Sequence, residues 1–305
     1  MPPSHVAAGA ARRYRTSLLA GALLITASEL VFATMGAAVK AASEELSTGM
    51  IVFFRSLVGL LVLLPLLAGR GGAGLWPRRG LWPLYLLRAV VGLAAMYCFF
   101  YALGRLPLAD GMLLKLTAPL FMPLIALFWL GERGSRTAVM AVPVGMAGVV
   151  IVLEPTGSFE IAALVGLAGG ALAGWAKVSV RLLTRTEPAT RVVFWFAVLA
   201  TLCSAPLALA EWQTPSAAMW GLLVAIGLLA TLGQWLLTRG YGAASPAQIG
   251  PFTYTSVLFA SILGFLLWDE VPDLAFAVGA ALIIGAGLLA LRRGPARPGA
   301  GSAEV

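Results

Sequence analysis

Residues 102–132, ALGRLPLADGMLLKLTAPLFMPLIALFWLGE, are matched by residues 240–270, GYGAASPAQIGPFTYTSVLFASILGFLLWDE. Four features coincide at an offset of 138 residues: Gly104 with Gly242, Ala109 with Ala247, Leu120-Phe121 with Leu258-Phe259, and Glu132 with Glu270. Pro65 and Pro206 match at a slightly longer offset. Matches in a shared order at a near-constant offset indicate that the second half of the chain repeats the first.

Long apolar runs fill the chain around these two stretches. Hydrophobic residues make up 60% of the sequence and charged residues 11%, whereas a soluble domain carries about 25% charged residues. A membrane-spanning helix needs roughly 20 mostly apolar residues. The sequence predicts an all-α membrane protein with about ten such helices, at residues 17–39, 48–68, 81–103, 108–130, 136–153, 160–182, 191–210, 217–238, 246–268 and 273–292.

The net charge of +8 follows the membrane topology. Basic residues such as Arg78, Arg133 and Arg185 lie in alternate connections, and acidic residues such as Glu44 and Glu270 lie in the others. Because cytoplasmic loops carry the excess of Lys and Arg, this pattern predicts both termini in the cytoplasm of a bacterial-type inner membrane. The predicted partners are therefore a lipid bilayer and a small-molecule solute, with no nucleic acid; neither a monomer nor an oligomer is favoured.

Five helices in each half is an odd number, so the two halves must lie upside down relative to each other. We predict a cytoplasmic N-terminal tail at 1–16, a first repeat at 17–154, a second repeat at 155–293 and a cytoplasmic C-terminal tail at 294–305. Inverted repeats place a site at their interface near the bilayer midplane, where it opens alternately to either side.

The sequence resembles the drug/metabolite transporter superfamily, specifically its EamA-type members with two five-helix repeats. The resemblance rests on residues 102–110 (ALGRLPLAD), 117–121 (TAPLF), 130–132 (LGE) and 268–270 (WDE), and it covers residues 17 to 293. It implies a transporter of small organic solutes and does not imply which solute. Smaller members of the superfamily use a first-helix glutamate for coupling, which the resemblance extends to Glu29.

Two ionisable residues lie deep in the predicted helices. Glu29 is near the middle of the first helix, and Lys115 is roughly 10 Å into the fourth. Glu29 is a candidate to bind a proton or a cationic group, and Lys115 a candidate to hold a carboxylate. The alternative interpretations are a structural ion pair for Glu29 and a snorkelling side chain for Lys115.

Three more basic residues lie within predicted helices. Arg55 and Arg88 are second candidates for carboxylate or phosphate recognition, since a guanidinium forms two parallel hydrogen bonds. Both are also suited to snorkelling or to capping carbonyls. Lys177 lies about a turn from the cytoplasmic end, where snorkelling is favoured. One acid against several bases favours an anionic or zwitterionic solute.

Aromatic, polar and helix-breaking residues complete the candidates. Tyr97, Tyr101, Trp175 and Tyr254 are candidates to line the cavity, with lipid-facing or core packing as the alternative, and Gln234 is a polar side chain at depth. Gly166, Gly170 and Gly174 predict close helix packing or a sliding surface. Pro119, Pro123, Pro246 and Pro251 predict breaks that free backbone carbonyls.

We predict a secondary transporter that moves an amino-acid-like or other carboxylate-bearing metabolite by alternating access, as an exporter. An uptake carrier and an exporter of drugs or organic cations that uses Glu29 are the alternatives; a membrane-embedded lipid-modifying enzyme is a remote one. No catalytic residue, metal or cofactor is predicted, because the only histidine is His5 and no nucleotide-binding loop ends in Gly-Lys-Ser/Thr.

Overall fold

The computed structural model describes residues 4–68, 76–131, 136–152, 161–243 and 250–291, and every element within these ranges is helical. The first half contains α1 (Ser4–Ala42), α2 (Thr48–Ala68), α3 (Trp82–Leu103), α4 (Leu108–Lys115), α5 (Ala118–Leu130) and α6 (Arg136–Val152). The second half contains α7 (Ile161–Leu183), α8 (Ala189–Ala210), α9 (Ala217–Ala243), a 3₁₀ helix (Gly250–Tyr254), α10 (Thr255–Trp268) and α11 (Leu274–Leu291).

The predicted membrane segments are present. Within the described residues, eight helical segments have the length and hydropathy to cross a membrane. Two shorter apolar helices, Val142–Val152 and Leu274–Leu289, correspond to the fifth and tenth predicted segments. The fold is therefore an all-α membrane fold of two inverted five-helix repeats.

The packing of the helices is symmetric between the halves. Helix α1 packs on α9 and α10, and its counterpart α7 packs on α3 and α5. Helices α2 and α8 pack on each other, as do α6 and α11, which are also counterparts. Each of these contacts joins a helix of the first half to a helix of the second half. The interface between the halves therefore carries most of the helix packing.

The fourth predicted span is broken before Pro119, whereas Pro123 lies inside α5, which continues through it. Helix α4 ends at Lys115 and α5 begins at Ala118, with Pro119 in its first turn, where proline is tolerated. The Thr117 hydroxyl donates to the Leu114 carbonyl at 2.6 Å, which satisfies an acceptor freed at the break. The described part of the corresponding span in the second half starts at the 3₁₀ helix, and Pro246 lies outside the described residues.

The glycine stripe of α7 packs against this break. A Cβ at Gly170 would lie 2.1 Å from Thr117 Oγ1, and one at Gly174 would lie 2.9 Å from the Ala118 carbonyl oxygen. Only a residue without a side chain allows α7 to approach the broken helix this closely. The predicted packing role of these glycines is therefore confirmed at Gly170 and Gly174.

The start of α1 differs from the prediction. We expected the first helix to begin at residue 17, whereas α1 extends back to Ser4. The added residues include the alanine-rich run at 7–11, and alanine has the highest helix propensity. The predicted C-terminal tail at 294–305 lies outside the described residues.

Candidate substrate site

The two ends of the bundle carry opposite charge, and we name them by it. The acidic end contains the α1–α2, α3–α4, α8–α9 and α10–α11 connections, with Glu44, Glu45, Glu211, Asp269, Glu270 and Asp273. The basic end contains the start of α3 and the α7–α8 connection, with Arg78, Arg79, Arg181 and Arg185. Tryptophans near the helix ends are found at both ends of the bundle. Trp76 and Trp82 pack with Trp195 at the basic end, and Trp212 and Trp220 pack on Phe54 at the acidic end.

Between the two ends, charged side chains from four helices lie within electrostatic range of one another. Glu29 of α1 is 5% exposed and lies within electrostatic range of Lys115 and Lys177. Arg55 of α2 lies within electrostatic range of Lys115. We call Glu29, Arg55, Lys115 and Lys177 the central charge cluster. Among the described residues, no base forms an ion pair with Glu29 within 4.0 Å, so the opposite charges act across a gap.

Lys115 lies at the break in the fourth span. It is the last residue of α4, where the negative end of the helix dipole favours a cation. Its ammonium lies 4.7 Å from the centre of the Phe32 ring and 5.4 Å from that of Phe99. These aromatic faces provide part of the stabilisation that water would give an exposed lysine.

Arg88 of α3 lies beside this cluster, within electrostatic range of Arg55. Its guanidinium carbon is 4.0 Å from the centre of the Phe196 ring. A Cβ at Gly92 would lie 2.0 Å from Arg88 Nη1, so this glycine gives the arginine room to fold along α3. Nε and Nη1 of Arg88 are buried and have no hydrogen-bond acceptor within the described ranges. Unsatisfied buried donors of this kind are suited to an anionic group.

The structure does not bring all the predicted site residues together. Lys177 is exposed on α7, and it lies within electrostatic range of Glu29. Trp175 is 37% exposed and packs on Trp129, and Gln234 is exposed on α9. Tyr254 is buried, with its hydroxyl in the space left by Gly287. Tyr97 and Tyr101 line a separate cavity at the acidic end.

A charged contact that the sequence did not predict joins the two halves at the acidic end. Lys40 of α1 forms a salt bridge with Glu270 and donates to the Leu106 carbonyl at 2.8 Å. The other Glu270 oxygen accepts a hydrogen bond from the Leu108 N–H at 2.7 Å, at the start of α4. We call Lys40, Glu270 and the Leu108 N–H the acidic-end latch. The sequence gives one indication of this contact: Lys40 is a base close to the acidic α1–α2 connection.

A buried carboxylate joins the two halves at the basic end. Glu187 accepts hydrogen bonds from Arg191 at 2.5 Å, from the Tyr85 hydroxyl at 3.1 Å and from the Arg78 N–H at 3.4 Å. We call these four residues the Glu187 cluster. Burial by itself raises the pKa of Glu187, but these hydrogen bonds outweigh it, so its pKa lies below the ordinary value.

Comparisons with known proteins agree with this architecture. The sequence model of the EamA-like transporter family matches residues 19–154 and 160–292. A pseudopaline exporter of Pseudomonas aeruginosa is 36% identical, with 88% of this chain and 94% of that protein covered. A riboflavin transporter of Brucella anthropi is 28% identical over 80% of this chain and 87% of that protein. An S-adenosylmethionine uptake transporter of Rickettsia prowazekii is 26% identical, with 78% and 81% covered.

A solved crystal structure shares the fold, with a TM-score of 0.64 at 22% identity, and it covers 88% of this chain and 96% of the other. The two family matches together extend over almost all of the described helices. The names of the relatives are those of transporters, so the prediction that the chain is not an enzyme is confirmed. The chain belongs to the EamA-like transporter family and is a multi-pass membrane transporter, as its resemblance to that family predicted.

Proposed function

We propose that this protein exports a small zwitterionic or carboxylate-bearing metabolite across the bacterial inner membrane by alternating access. One observation carries the proposal. Glu29 forms no ion pair with a described base, yet it lies within electrostatic range of Lys115, which is at the break between α4 and α5. The buried charges act on each other without contact, which suits a site that takes up a solute with charges of its own. The break also leaves backbone groups close to the same position, a feature of transporter sites.

The balance of charge favours a solute with at least one carboxylate. The cluster and its neighbour Arg88 contain a single acid against four bases. Arg88 adds buried donors that have no acceptor in the described part of the chain. A carboxylate on the solute satisfies these donors, and Glu29 then pairs with an ammonium group or carries a proton.

The direction of transport is inferred from the relatives and from the acidic-end latch. A 36% identical relative is named an exporter, whereas the relative named as an uptake transporter is 26% identical. With both termini in the cytoplasm, the acidic end faces outwards, and the latch is then the barrier that opens to release the solute. Breaking one salt bridge and one hydrogen bond is compatible with the cost of a transport step.

Transport by reconstituted protein tests this proposal. Metabolites that stabilise the purified protein against heat are radiolabelled and loaded into proteoliposomes, and their efflux is measured. Glu29→Gln and Lys115→Met are each expected to reduce efflux at least about tenfold, because each leaves a charge without its counterpart. Glu45→Gln and Arg239→Gln, both exposed, are the matched controls. Full activity in Glu29→Gln and Lys115→Met excludes the central charge cluster as the site.

A second candidate substrate is an organic cation. The rings of Phe32 and Phe99 lie beside the Lys115 ammonium. Aromatic faces attract cations, so these rings can also attract a cationic solute. The Lys115→Met variant separates the two substrate classes. It is expected to abolish the efflux of a carboxylate, whereas it should increase the efflux of a cation that competes with Lys115 for Glu29.

A further inference from the structure

An open cavity of about 610 Å³ lies at the acidic end, among α2, α3 and the end of α8. Its volume is within the range of cavities that hold small molecules. Tyr97 and Tyr101 line one wall, and they lie four residues apart on the same face of α3. Phe99, which contacts Lys115, points from the other face of α3. The helix therefore separates this cavity from the central charge cluster.

The cavity has one cation and one anion in its wall. The guanidinium of Arg105 stacks on Tyr101, with its carbon 3.8 Å from the ring centre. Stacking occupies one face of the guanidinium and leaves the donors at its edge available. Glu211 lies across the cavity at the end of α8, where its Oε2 would be 3.0 Å from a Cβ at Gly49.

Both charged side chains are exposed to solvent. Within the ranges that the structure describes, neither the Arg105 guanidinium nor the Glu211 carboxylate forms a hydrogen bond or a salt bridge. The charged atoms of both residues are therefore accessible to a ligand in the cavity.

A third polar group in the wall also lacks a partner. The hydroxyl of Tyr97 is buried, and no described atom of the protein forms a hydrogen bond with it. Buried polar groups are nearly always hydrogen-bonded, so an unsatisfied one at a cavity wall indicates a ligand position. Tyr97 also lies within electrostatic range of Glu211.

We infer that this cavity is a second binding site, separate from the central charge cluster, for a small zwitterion. Arg105 receives the carboxylate through its free edge, Glu211 receives the ammonium group, and the Tyr97 hydroxyl hydrogen-bonds the solute at the cavity floor. The cavity opens at the acidic end beside the latch, so its occupant reaches it without passing Lys40 and Glu270. The site therefore holds solute outside the transport barrier.

Calorimetric titration of the full chain in lipid nanodiscs tests the inference. The probes are ω-amino acids from glycine to 6-aminohexanoate, at up to about 10 mM, where a site of millimolar affinity fills. Butyrate and butylammonium each carry only one of the two charges. At least one ω-amino acid should bind, and both single-charge probes should bind about tenfold more weakly.

Four variants assign the binding to this cavity. Arg105→Gln and Glu211→Gln are each expected to weaken binding about tenfold, and Tyr97→Phe severalfold. Exchange of the two charges, Arg105→Glu with Glu211→Arg, should restore binding with the zwitterion reversed. Arg239→Gln is the matched control, because Arg239 also stacks on an aromatic ring, that of Trp235 at 4.3 Å, but lies away from the cavity. The melting temperature of each variant shows that it is folded.

Each alternative result has a clear meaning. Failure of every ω-amino acid to bind the wild-type protein overturns the inference, as does binding that survives both single-charge variants. Binding that is lost in Glu29→Gln or Lys115→Met but kept in Arg105→Gln also overturns it, because the probe then occupies the central charge cluster. That last result overturns the second site but leaves the proposed transport function intact. If a variant loses efflux but keeps probe binding, the central charge cluster is affected and the second site is not.

Discussion

A glutamate joins the two halves of the protein at each end, but the two contacts differ in burial and in the number of donors. The side chain of Glu187 at the basic end is 0% exposed and accepts from three donors. At the acidic end, the side chains of Glu270 and Lys40 are 19% and 15% exposed, and Glu270 accepts from one lysine and one N–H. Water therefore replaces the lost partners more easily at the acidic end when the contact opens.

The difference indicates that the two contacts have different roles. Removing one partner of a buried charge is costly because the other partners remain without compensation, whereas a partly exposed pair contributes little. The Glu187 cluster is therefore suited to hold α3 and α8 together permanently. The acidic-end latch is suited to open and close during transport.

The sequence repeat shows that the Glu187 cluster is not part of the symmetric design. At the offset that aligns Pro65 with Pro206, Leu46 is the counterpart of Glu187, and both are buried. An apolar side chain occupies this position at the acidic end and a charged one at the basic end. Only the basic end has therefore acquired a buried ionic contact at this position.

Loss of the Glu187 carboxylate should have the largest effect. Glu187→Gln removes the buried carboxylate that accepts hydrogen bonds from Arg191, Tyr85 and Arg78, which costs about 3 kcal/mol of stability. Thermal unfolding in detergent measures this loss. Glu45→Gln, at an exposed position, should change stability by less than about 0.5 kcal/mol. Equal melting temperatures for Glu187→Gln and the wild type would contradict the anchoring role.

Low pH should remove most of the difference in stability between the wild type and Glu187→Gln. A carboxylate with a lowered pKa in the folded state contributes stability above its unfolded pKa, near 4.3, and loses it as the pH falls through the folded pKa. The melting temperatures of wild type and Glu187→Gln, measured from neutral pH down to about pH 4 and below, should therefore converge only at the acidic limit. A difference that stays constant throughout would show that the ionised form is not the stabilising one.

Loss of the Lys40 ammonium should reduce stability less than loss of the Glu187 carboxylate. It should clearly increase the access of a reagent to the central charge cluster from the acidic end. Lys40→Met removes a partly exposed pair worth about 1 kcal/mol, which shifts the population towards the acidic-end-open state about fivefold. A cysteine in place of Phe32, with Cys98→Ser and Cys203→Ser, reports this shift in spheroplasts through its labelling by an impermeant thiol reagent. Glu45→Gln is the control at the same end, and an unchanged labelling rate in Lys40→Met would exclude a barrier at Lys40.

The smallest effect is expected from a change that removes no charge. A Cβ at Gly264 would lie 2.5 Å from Glu270 Oε2, so Gly264→Ala displaces the carboxylate that meets the Leu108 N–H. Gly285→Ala is the matched control, because a Cβ there has nothing within 4 Å. Labelling of the same cysteine should increase about twofold in Gly264→Ala only, as a weaker form of the Lys40→Met effect. Equal rates in both alanine variants would show that this carboxylate position does not control access.

Much of the fold follows directly from the sequence. The prediction for α2 agrees with the structure at both ends, and the prediction for α3 differs by one residue. Pro119 indicated the break that separates α4 from α5. These features are local: hydropathy over about 20 residues and the missing N–H of proline are properties of the chain itself.

The candidate site was only partly predictable. Glu29 and Lys115 were identifiable because charge is costly within an apolar span, and this cost does not depend on the neighbours. The separation between them, and the placing of Tyr97 in a different cavity, depend on how α1, α3 and α4 pack. Trp175 was a candidate as an aromatic residue and Gln234 as a polar side chain at depth, yet both are exposed.

The sequence by itself determined the membrane class, the inverted repeat and the buried charges, because each rests on composition or periodicity along the chain. Only the tertiary structure decided which partners these charges have: Lys40 and Glu270 are 230 positions apart, and Glu187 and its hydrogen-bond donor Tyr85 are 102 apart. The physical reason is that a charge contributes through its distance to other charges and to water. Those distances exist only once the two halves have packed together.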